Sequence, residues 1–429
     1  MKILVPTYVM PDVKHVGIDL INSVLPYLRE KTNTEIIWIV FQPDKILKQK
    51  TNGLSIYDIH DFPNAVSILH TTKPDCVVVT NTTDAIQSSL IIAAKFLKIP
   101  VVIIYFQSYN FMGLTGLSSP LENFKHSLRK FFSNQTSTDK EHQKKLFRRG
   151  KFILYKYNFL KKTRKAISGN NLNVLLFTLK EIFIQAFGKS KNYNELAELH
   201  LLSDNSWLKP LTNLGISKEK LIVTGNPYWD KLFQKLEEIK YKHTQKKSNI
   251  NILIVTDALV EHGVWTPKKR DTFLGKLFDE LKKETNISFS IKIHPSSEDR
   301  YYYENFFHER KTKIRIFQQE DLWDIINDFD VIISYGCTTA HTELVLMGMK
   351  ILLLDVEVNL TYARLVKEGI LSGIVLKCES FSDIMPSFHR LLESKIEITK
   401  NLIKERNQLF QSDGKASERV ANAILKIVK

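Results

Sequence analysis

Asp330-Val-Ile-Ile-Ser-Tyr-Gly-Cys-Thr-Thr-Ala-His-Thr-Glu-Leu-Val-Leu-Met-Gly-Met-Lys350 passes from an apolar run ending at Ser334, through a turn of small residues, into a helix-forming stretch. The turn comprises Gly336, Cys337, Thr338 and Thr339. A buried strand that feeds a helix through such a turn presents unpaired first-turn amides and the positive end of the helix dipole, which together suit a phosphate. Glu343 stands four residues after Thr339 and so shares its helix face, where a carboxylate can accept hydrogen bonds from ribose hydroxyls. A plainer reading stays open: Thr338 or Thr339 caps the helix and Glu343 is solvated.

Outward from this stretch the alternation of strand and helix continues. Ile252 to Val255, Phe289 to Ile293, Lys313 to Phe317, Ile351 to Leu354 and Gly373 to Leu376 read as strands, with helices over Lys268 to Lys283, Glu298 to Glu309 and Leu322 to Asp328. The first hundred residues repeat the pattern, with strands at Ile3 to Val9, Glu35 to Phe41, Cys76 to Thr80 and Val101 to Phe106. Right-handed βαβ units imply parallel sheets that bind ligands at the carboxyl ends of their strands. The expected fold is therefore α/β, with two Rossmann-like domains facing across a cleft. The 429 residues suffice for two cores. The predicted boundaries are a first domain over 1–230 with a basic helical insertion at about 110–195, a lysine-rich linker over 231–249, and a donor-binding domain over 250–429 whose last helix packs back on the first.

Three further motifs narrow the reading. Ile291-Lys-Ile-His-Pro295 ends a strand in a His-Pro pair followed by Ser296 and Ser297; the proline stops the strand and presents His294 to the ligand crevice. Leu221-Ile-Val-Thr-Gly-Asn-Pro-Tyr-Trp-Asp230 closes the first domain, and Asp413-Gly-Lys-Ala-Ser-Glu-Arg419 precedes the last helix. With the 330–350 stretch, these resemble the GT-B superfamily, which contains glycosyltransferases, bacterial sialyl- and polysialyltransferases, CDP-glycerol glycerophosphotransferases and UDP-N-acetylglucosamine 2-epimerase. The resemblance implies donor-nucleotide contacts from His294, Pro295, Ser296, Gly336, Cys337, Thr338 and Thr339. It implies a ribose role for Glu343, which stands five residues before Gly348 as the epimerase glutamate stands before its Leu-Gly. It leaves Asp413 to Arg419 as a turn capping the last helix and gives Asn226 and Pro227 a hinge role.

The first domain departs from the epimerase pattern, because the acidic residue that those enzymes use after a strand falls at Phe106 or Gln107. Transfer is therefore expected before epimerisation. An inverting transferase needs a general base for the acceptor hydroxyl, and the candidates are His15, Asp19 and Asp84. The Asp/Glu-Asp/Glu-Gly triplet of sialyltransferases is missing, as is any DxD-type motif at a strand end. No metal and no cofactor beyond the nucleotide-activated sugar are expected. Lys292 and Arg364 read as solvated, with help to the leaving phosphate as the alternative.

Of the formal charge of +15, most lies in Leu121 to Lys191, which holds 17 Lys or Arg against 4 Asp or Glu, interleaved with Phe131, Phe132, Phe147, Phe152, Tyr155, Tyr157 and Phe159. An anionic membrane surface, a helical excursion packed on the first domain, and nucleic acid are three readings of that pattern, with nucleic acid last. Cys76, Cys337 and Cys378 are too dispersed for a disulfide framework or paired zinc ligands. No apolar run reaches the ~20 residues that a spanning helix needs. The expectation is a cytoplasmic, metal-independent glycosyltransferase of surface polysaccharide or glycolipid synthesis, peripheral on the inner membrane face, with a nucleotide-sugar donor and a glycan or lipid-linked acceptor. Alternatives are CDP-polyol phosphotransfer, an epimerase-like enzyme, or a non-catalytic nucleotide- or glycan-binding protein.

Overall fold

A computed structural model of the chain describes residues 1–11, 15–41, 55–80, 84–106, 140–169, 174, 176, 179, 193–236, 249–261, 264–295, 297–336, 340–356, 364–394, 400–409, 411 and 413–428. The chain divides into two compact units, Met1–Asp230 with Leu409–Lys429, and Lys231–Gln408.

In the first unit, β1 (Lys2–Thr7), β2 (Glu35–Val40), β3 (Ser55–Asp58), β4 (Cys76–Val79), β5 (Val101–Tyr105), β6 (Leu199–Leu202) and β7 (Leu221–Val223) form one sheet in the order β3-β2-β1-β4-β5-β6-β7. All pairings are parallel. The helices are α1 (Val16–Lys31), α2 (Ala65–Thr72), α3 (Ala85–Phe96), α4 (Lys140–Ser168) and α5 (Leu208–Asn213), and α6 (Asp230–Leu236) leads into the second unit. The central strands β1, β2, β4 and β5 are mostly apolar on both faces because helices cover both sides of the sheet: Leu4, Ile37, Val77 and Ile103 point into one core layer, and Ile3, Trp38, Val78 and Val102 into the other.

In the second unit, β8 (Ile250–Val255), β9 (Ile287–Lys292), β10 (Arg315–Phe317), β11 (Val331–Tyr335), β12 (Ile351–Leu354) and β13 (Val375–Cys378) form a parallel sheet ordered β10-β9-β8-β11-β12-β13. Its helices are α7 (Pro267–Leu281), α8 (Arg300–Glu309), α9 (Leu322–Ile325), α10 (Ala340–Leu346), α11 (Arg364–Leu371), α12 (Ile384–Glu393) and α13 (Lys400–Leu409). Ile254, Phe273, Phe278, Tyr303, Tyr335 and Phe388 fill the core.

The last helix, α14 (Ala416–Val428), belongs to the first unit, so the sequence-based span of 250–429 for the second domain ends earlier. The cause is its apolar stripe: Val420, Ala421, Ile424 and Leu425 enter the same core layer as Ile18, Val24 and Leu28 of α1. Burial of Val420, Ile424 and Leu425 favours that packing by roughly 1.5–3 kcal/mol each.

Two elements escape the sequence reading. Ser55–Asp58 is a four-residue edge strand whose first three residues are only half-buried, and α2 is eight residues long, too short for its apolar spacing to stand out. The second half of α4 packs on the first unit. Phe159, Leu160 and Thr163 are buried, Tyr155 and Ile167 line the core, and the Thr163 hydroxyl accepts the Ala65 N–H at 3.0 Å. For Tyr155 and Phe159 this corrects the expectation of rings entering a headgroup layer. Phe131 and Phe132, and the side chains of Phe147 and Phe152, lie outside the described residues. Among the described residues, no helix is long and apolar enough to cross a membrane.

Candidate functional site

The order of each sheet reverses once, between β1 and β4 in the first unit and between β8 and β11 in the second. At such a point the loops after the two strands diverge to opposite faces and leave a crevice at the carboxyl edge. The candidate residues fall into two groups, one at the carboxyl edge of each sheet.

In the second unit β11 ends at Tyr335 and β8 at Val255, which places Gly336 beside Asp257. Gly336 has φ +82°, and a Cβ there would lie 2.3 Å from Asp257 Oδ2 and 2.4 Å from Asp257 Cβ. Backbone and carboxylate therefore pack with no room for a side chain, which is why the turn begins with glycine. Beneath it, the Ser334 hydroxyl donates to the Val255 carbonyl at 3.2 Å and meets His341 Nε2 at 2.6 Å. With the hydroxyl proton so placed, Nε2–H is the donor to Ser334, and burial holds the imidazole neutral by lowering its pKa to about 4. Cys337, Thr338 and Thr339 lie outside the described residues. Glu343, in the first turn of α10, is buried rather than solvated.

The His294 loop follows β9. His294 Nδ1 accepts the Ser297 N–H at 3.2 Å, which puts the ring proton of the neutral imidazole on Nε2. The His294 N–H donates to Glu298 at 2.7 Å, and the same carboxylate accepts the hydroxyls of Thr256 and Tyr303. Burial raises the Glu298 pKa, and those three hydrogen bonds oppose the rise. Gln318 bonds the carbonyls of both His294 and Glu298, at 3.4 and 2.9 Å. Pro295 carries a second glutamine contact, from Gln319 at 3.0 Å. The side chains thus fix a loop that the motif alone could only locate; Ser296 lies outside the described residues.

Lys292 is buried, not solvated. Its ammonium donates to the carbonyls of Ile293 at 3.2 Å and Gln318 at 2.8 Å, tying the ends of β9 and β10. The Arg364 side chain lies outside those described. Among the described residues, no cluster of three or more His, Cys, Asp or Glu could hold a metal ion.

In the first unit, His15 caps α1 through Nδ1, which accepts the Gly17 N–H at 3.2 Å; its neutral proton therefore sits on Nε2, and burial lowers its pKa. A ring in that state donates and has no lone pair left for a base. Asp19 lies one turn into α1, half-buried. Asp84 caps α3 with Oδ1, bonding the Ile86 and Gln87 amides at 3.0 and 3.2 Å, while Oδ2 pairs with Lys156 of α4 at 2.6 Å. Lys156 also bonds the Tyr8 hydroxyl at 2.9 Å. Both Asp84 oxygens are thus engaged, and the carboxylate anchors the insertion helix, a poor circumstance for a proton acceptor.

The two remaining motifs meet within the first unit. Asp230 accepts the Ala416 and Ser417 amides at 3.0 and 2.7 Å and so caps α14, and Arg419 Nε donates to the Thr224 carbonyl at 2.8 Å. Gly225, with φ +86°, lies so close that a Cβ would stand 3.1 Å from Ala416 Cβ. Asn226 bonds the Phe106 carbonyl at 2.8 Å. The capping expected of Asp413 to Arg419 is found, with the capping carboxylate supplied by Asp230 of the other motif.

The sequence reading missed Thr256, Asp257, Glu298, His341 and Lys156. Thr256 and Asp257 had the signal that selected His294, a polar residue just past the carboxyl end of a parallel strand; Lys156 had none within a segment uniformly rich in lysine.

No family model matches the sequence, and no curated protein matches it. Solved structures do resemble the fold. UDP-GlcNAc 2-epimerase from Neisseria meningitidis, bound to UDP-GlcNAc, is 18% identical with a TM-score of 0.50, over 99% of this chain and 100% of that one. The enzyme from Methanocaldococcus jannaschii is 16% identical with a TM-score of 0.52, over 99% and 100%. That from Rickettsia bellii is 13% identical with a TM-score of 0.52, over 100% and 97%. At such identities the likeness is one of architecture: two Rossmann-like α/β domains, the fold of the GT-B superfamily.

Proposed function

We propose that this chain is a nucleotide-sugar enzyme, and specifically an inverting, metal-independent glycosyltransferase whose second unit binds the donor. The observation that carries the proposal is the state of His294: at the carboxyl end of β9 its Nδ1 is occupied by a backbone amide, so the ring offers Nε2–H, the form that donates to a phosphate oxygen. The turn from Gly336 through Cys337, Thr338 and Thr339 supplies amides to the diphosphate, and Glu343 takes the ribose hydroxyls. Hydrogen-bond donors fixed in advance stabilise the departing nucleotide without reorganising during the reaction.

The epimerase reading has one observation in its favour, the architectural match to epimerases along the whole chain. Against it, the position after β5 is Phe106, whose ring cannot carry a proton. The acceptor in this reading is a glycan or a lipid-linked sugar, and the exposed Lys161, Lys162 and Lys165 of α4 suit contact with an anionic surface that bears it.

A thermal-shift screen over UDP, GDP, CMP, CDP, their sugars and CDP-glycerol tests the proposal, followed by NMR of products from whichever donor stabilises the protein. Nucleotide release without change at sugar C2 is expected. Inversion at C2 would establish the epimerase reading instead, and no stabilisation by any nucleotide would overturn the donor site.

A further inference from the structure

The α7 side of the second sheet holds a cavity of about 290 Å³, close to the size of about 300 Å³ at which small-molecule pockets begin. The stretch Trp265-Thr-Pro-Lys-Lys-Arg-Asp-Thr-Phe-Leu-Gly-Lys276 opens α7, and Lys268, Thr272 and Lys276 recur in it at every fourth position and so share one face. That face borders the cavity, while Leu274, Leu277 and Phe278 anchor another in the core. Phe381, in the loop after β13, closes the cavity from the far side, its ring 5.3 Å from that of Phe273.

The cavity is apart from the proposed donor contacts. Tyr335 turns its ring toward α7, 4.8 Å from that of Phe273, whereas its neighbour Ser334 turns toward His341 of α10. Successive residues of a strand point to opposite faces, so the cavity and α10 lie on opposite sides of the sheet. None of the lining residues is among those assigned to the donor.

Its chemistry is that of an anion site with a sugar-sized body. The described lining residues include Lys268, Lys269 and Lys276 and no Asp or Glu, and a concave site of one charge sign concentrates ions of the other. Lys276 Nζ stands 5.4 Å from the centre of the Phe381 ring and Lys269 Nζ 5.3 Å from that of Trp265; an aromatic face positions an ammonium group without cancelling its charge. The two threonines have complementary roles. The Thr266 hydroxyl oxygen accepts the Lys269 N–H at 3.2 Å and keeps its proton to give, whereas the Thr272 hydroxyl gives its proton to the Lys268 carbonyl at 2.9 Å and keeps a lone pair to accept.

We propose that this cavity binds a sugar unit bearing a negative group, a phosphate ester or a carboxylate, at a second site of the protein. The lysines and Thr266 take the anionic group, Thr272 accepts a ring hydroxyl, and the C–H face of the ring rests on Phe381. A bare ion would use only the first of these three features and a neutral sugar only the other two. The inference goes beyond the nucleotide-sugar reading and stands without it.

The test is a calorimetric titration of the full chain with glucose 6-phosphate, glucuronic acid, glucose and inorganic phosphate. One of the two sugar anions should bind at least about tenfold more tightly than both glucose and phosphate, and which one does identifies the anionic group. Lys268→Gln and Lys276→Gln should each weaken that ligand about tenfold, Phe381→Ala should weaken it without affecting inorganic phosphate, and Lys282→Gln, at the other end of α7, should change nothing. Lys268 and Lys276 are exposed, so these variants keep the fold, which thermal melting checks. Neither sugar anion binding more tightly than glucose and phosphate would overturn the inference, as would full binding by the Lys268→Gln/Lys276→Gln double variant. Displacement of the sugar anion by saturating nucleotide would also overturn it, by placing that ligand in the donor site; a protein that binds the sugar anion and no nucleotide would overturn the donor site alone.

Discussion

The two sheets reverse their strand order in the same way and furnish the reversal differently. In the second unit the edge presents main-chain groups held by side chains: a glycine with φ +82° pressed against Asp257, and a loop in which the His294 main-chain N–H donates to the Glu298 carboxylate. In the first unit it is built from side chains, with Tyr8, Asp84 and Lys156 joined over the β1–β4 crevice. Amides and a glycine suit the part of a donor common to all nucleotide sugars, its phosphates. Titratable side chains suit what differs between enzymes, the acceptor and the proton transfer.

That contrast can be broken at several points. The largest effect is expected at His341, whose burial lowers its pKa from 6.5 to about 4. A depressed folded-state pKa means that the stability it contributes is present above the unfolded value of about 6.5 and is lost as pH falls toward 4, by about 3 kcal/mol in full. Chemical denaturation between pH 4 and 7 should show that acid loss in wild type and a flatter profile in His341→Gln. Gly336→Ala comes next: with Asp257 in the way and a positive φ, it should cost about 1–3 kcal/mol of stability and abolish the thermal shift by nucleotide. If Gly336→Ala melts and binds as wild type does, the second edge does not depend on its main-chain groups.

In the first unit, Lys156→Met leaves the Asp84 carboxylate, 5% exposed, without its cation. A loss of about 2 kcal/mol is expected, read by urea unfolding, with donor binding intact; a fall in donor binding would blur the distinction between the two edges. The smallest effect is expected from Asp230→Asn, which keeps one acceptor for the α14 amides and gives up the other, at about 1 kcal/mol. Hydrogen exchange at Ala416 and Ser417 should rise while the second unit is unaffected.

This division also explains what was legible in the sequence. Glycine at 336, proline at 295 and the strand-to-helix punctuation around them are local devices, so the second sheet and its edge can be read from spacing. The mutual locking of Asp230 with Ser417 involves residues 187 positions apart, and only the resemblance of both motifs to one superfamily hinted that they belong together. The first edge was largely hidden. Asp58 ends a short strand without an apolar run, and Lys156 is one cation among many until α4 folds back. His15 and Asp84 were visible as polar residues at helix starts, but spacing does not distinguish a cap from a base; the hydrogen-bond partner does.

The most direct test of the central claim is a calorimetric titration of the full chain with the nucleoside diphosphate that gives the largest thermal shift, comparing wild type, His294→Ala and Lys156→Met. Nε2–H of His294 donating to a phosphate predicts that His294→Ala weakens Kd about tenfold, about 1.4 kcal/mol, while Lys156→Met leaves it unmoved. Equal affinity in wild type and His294→Ala would contradict the assignment of the donor to the second unit.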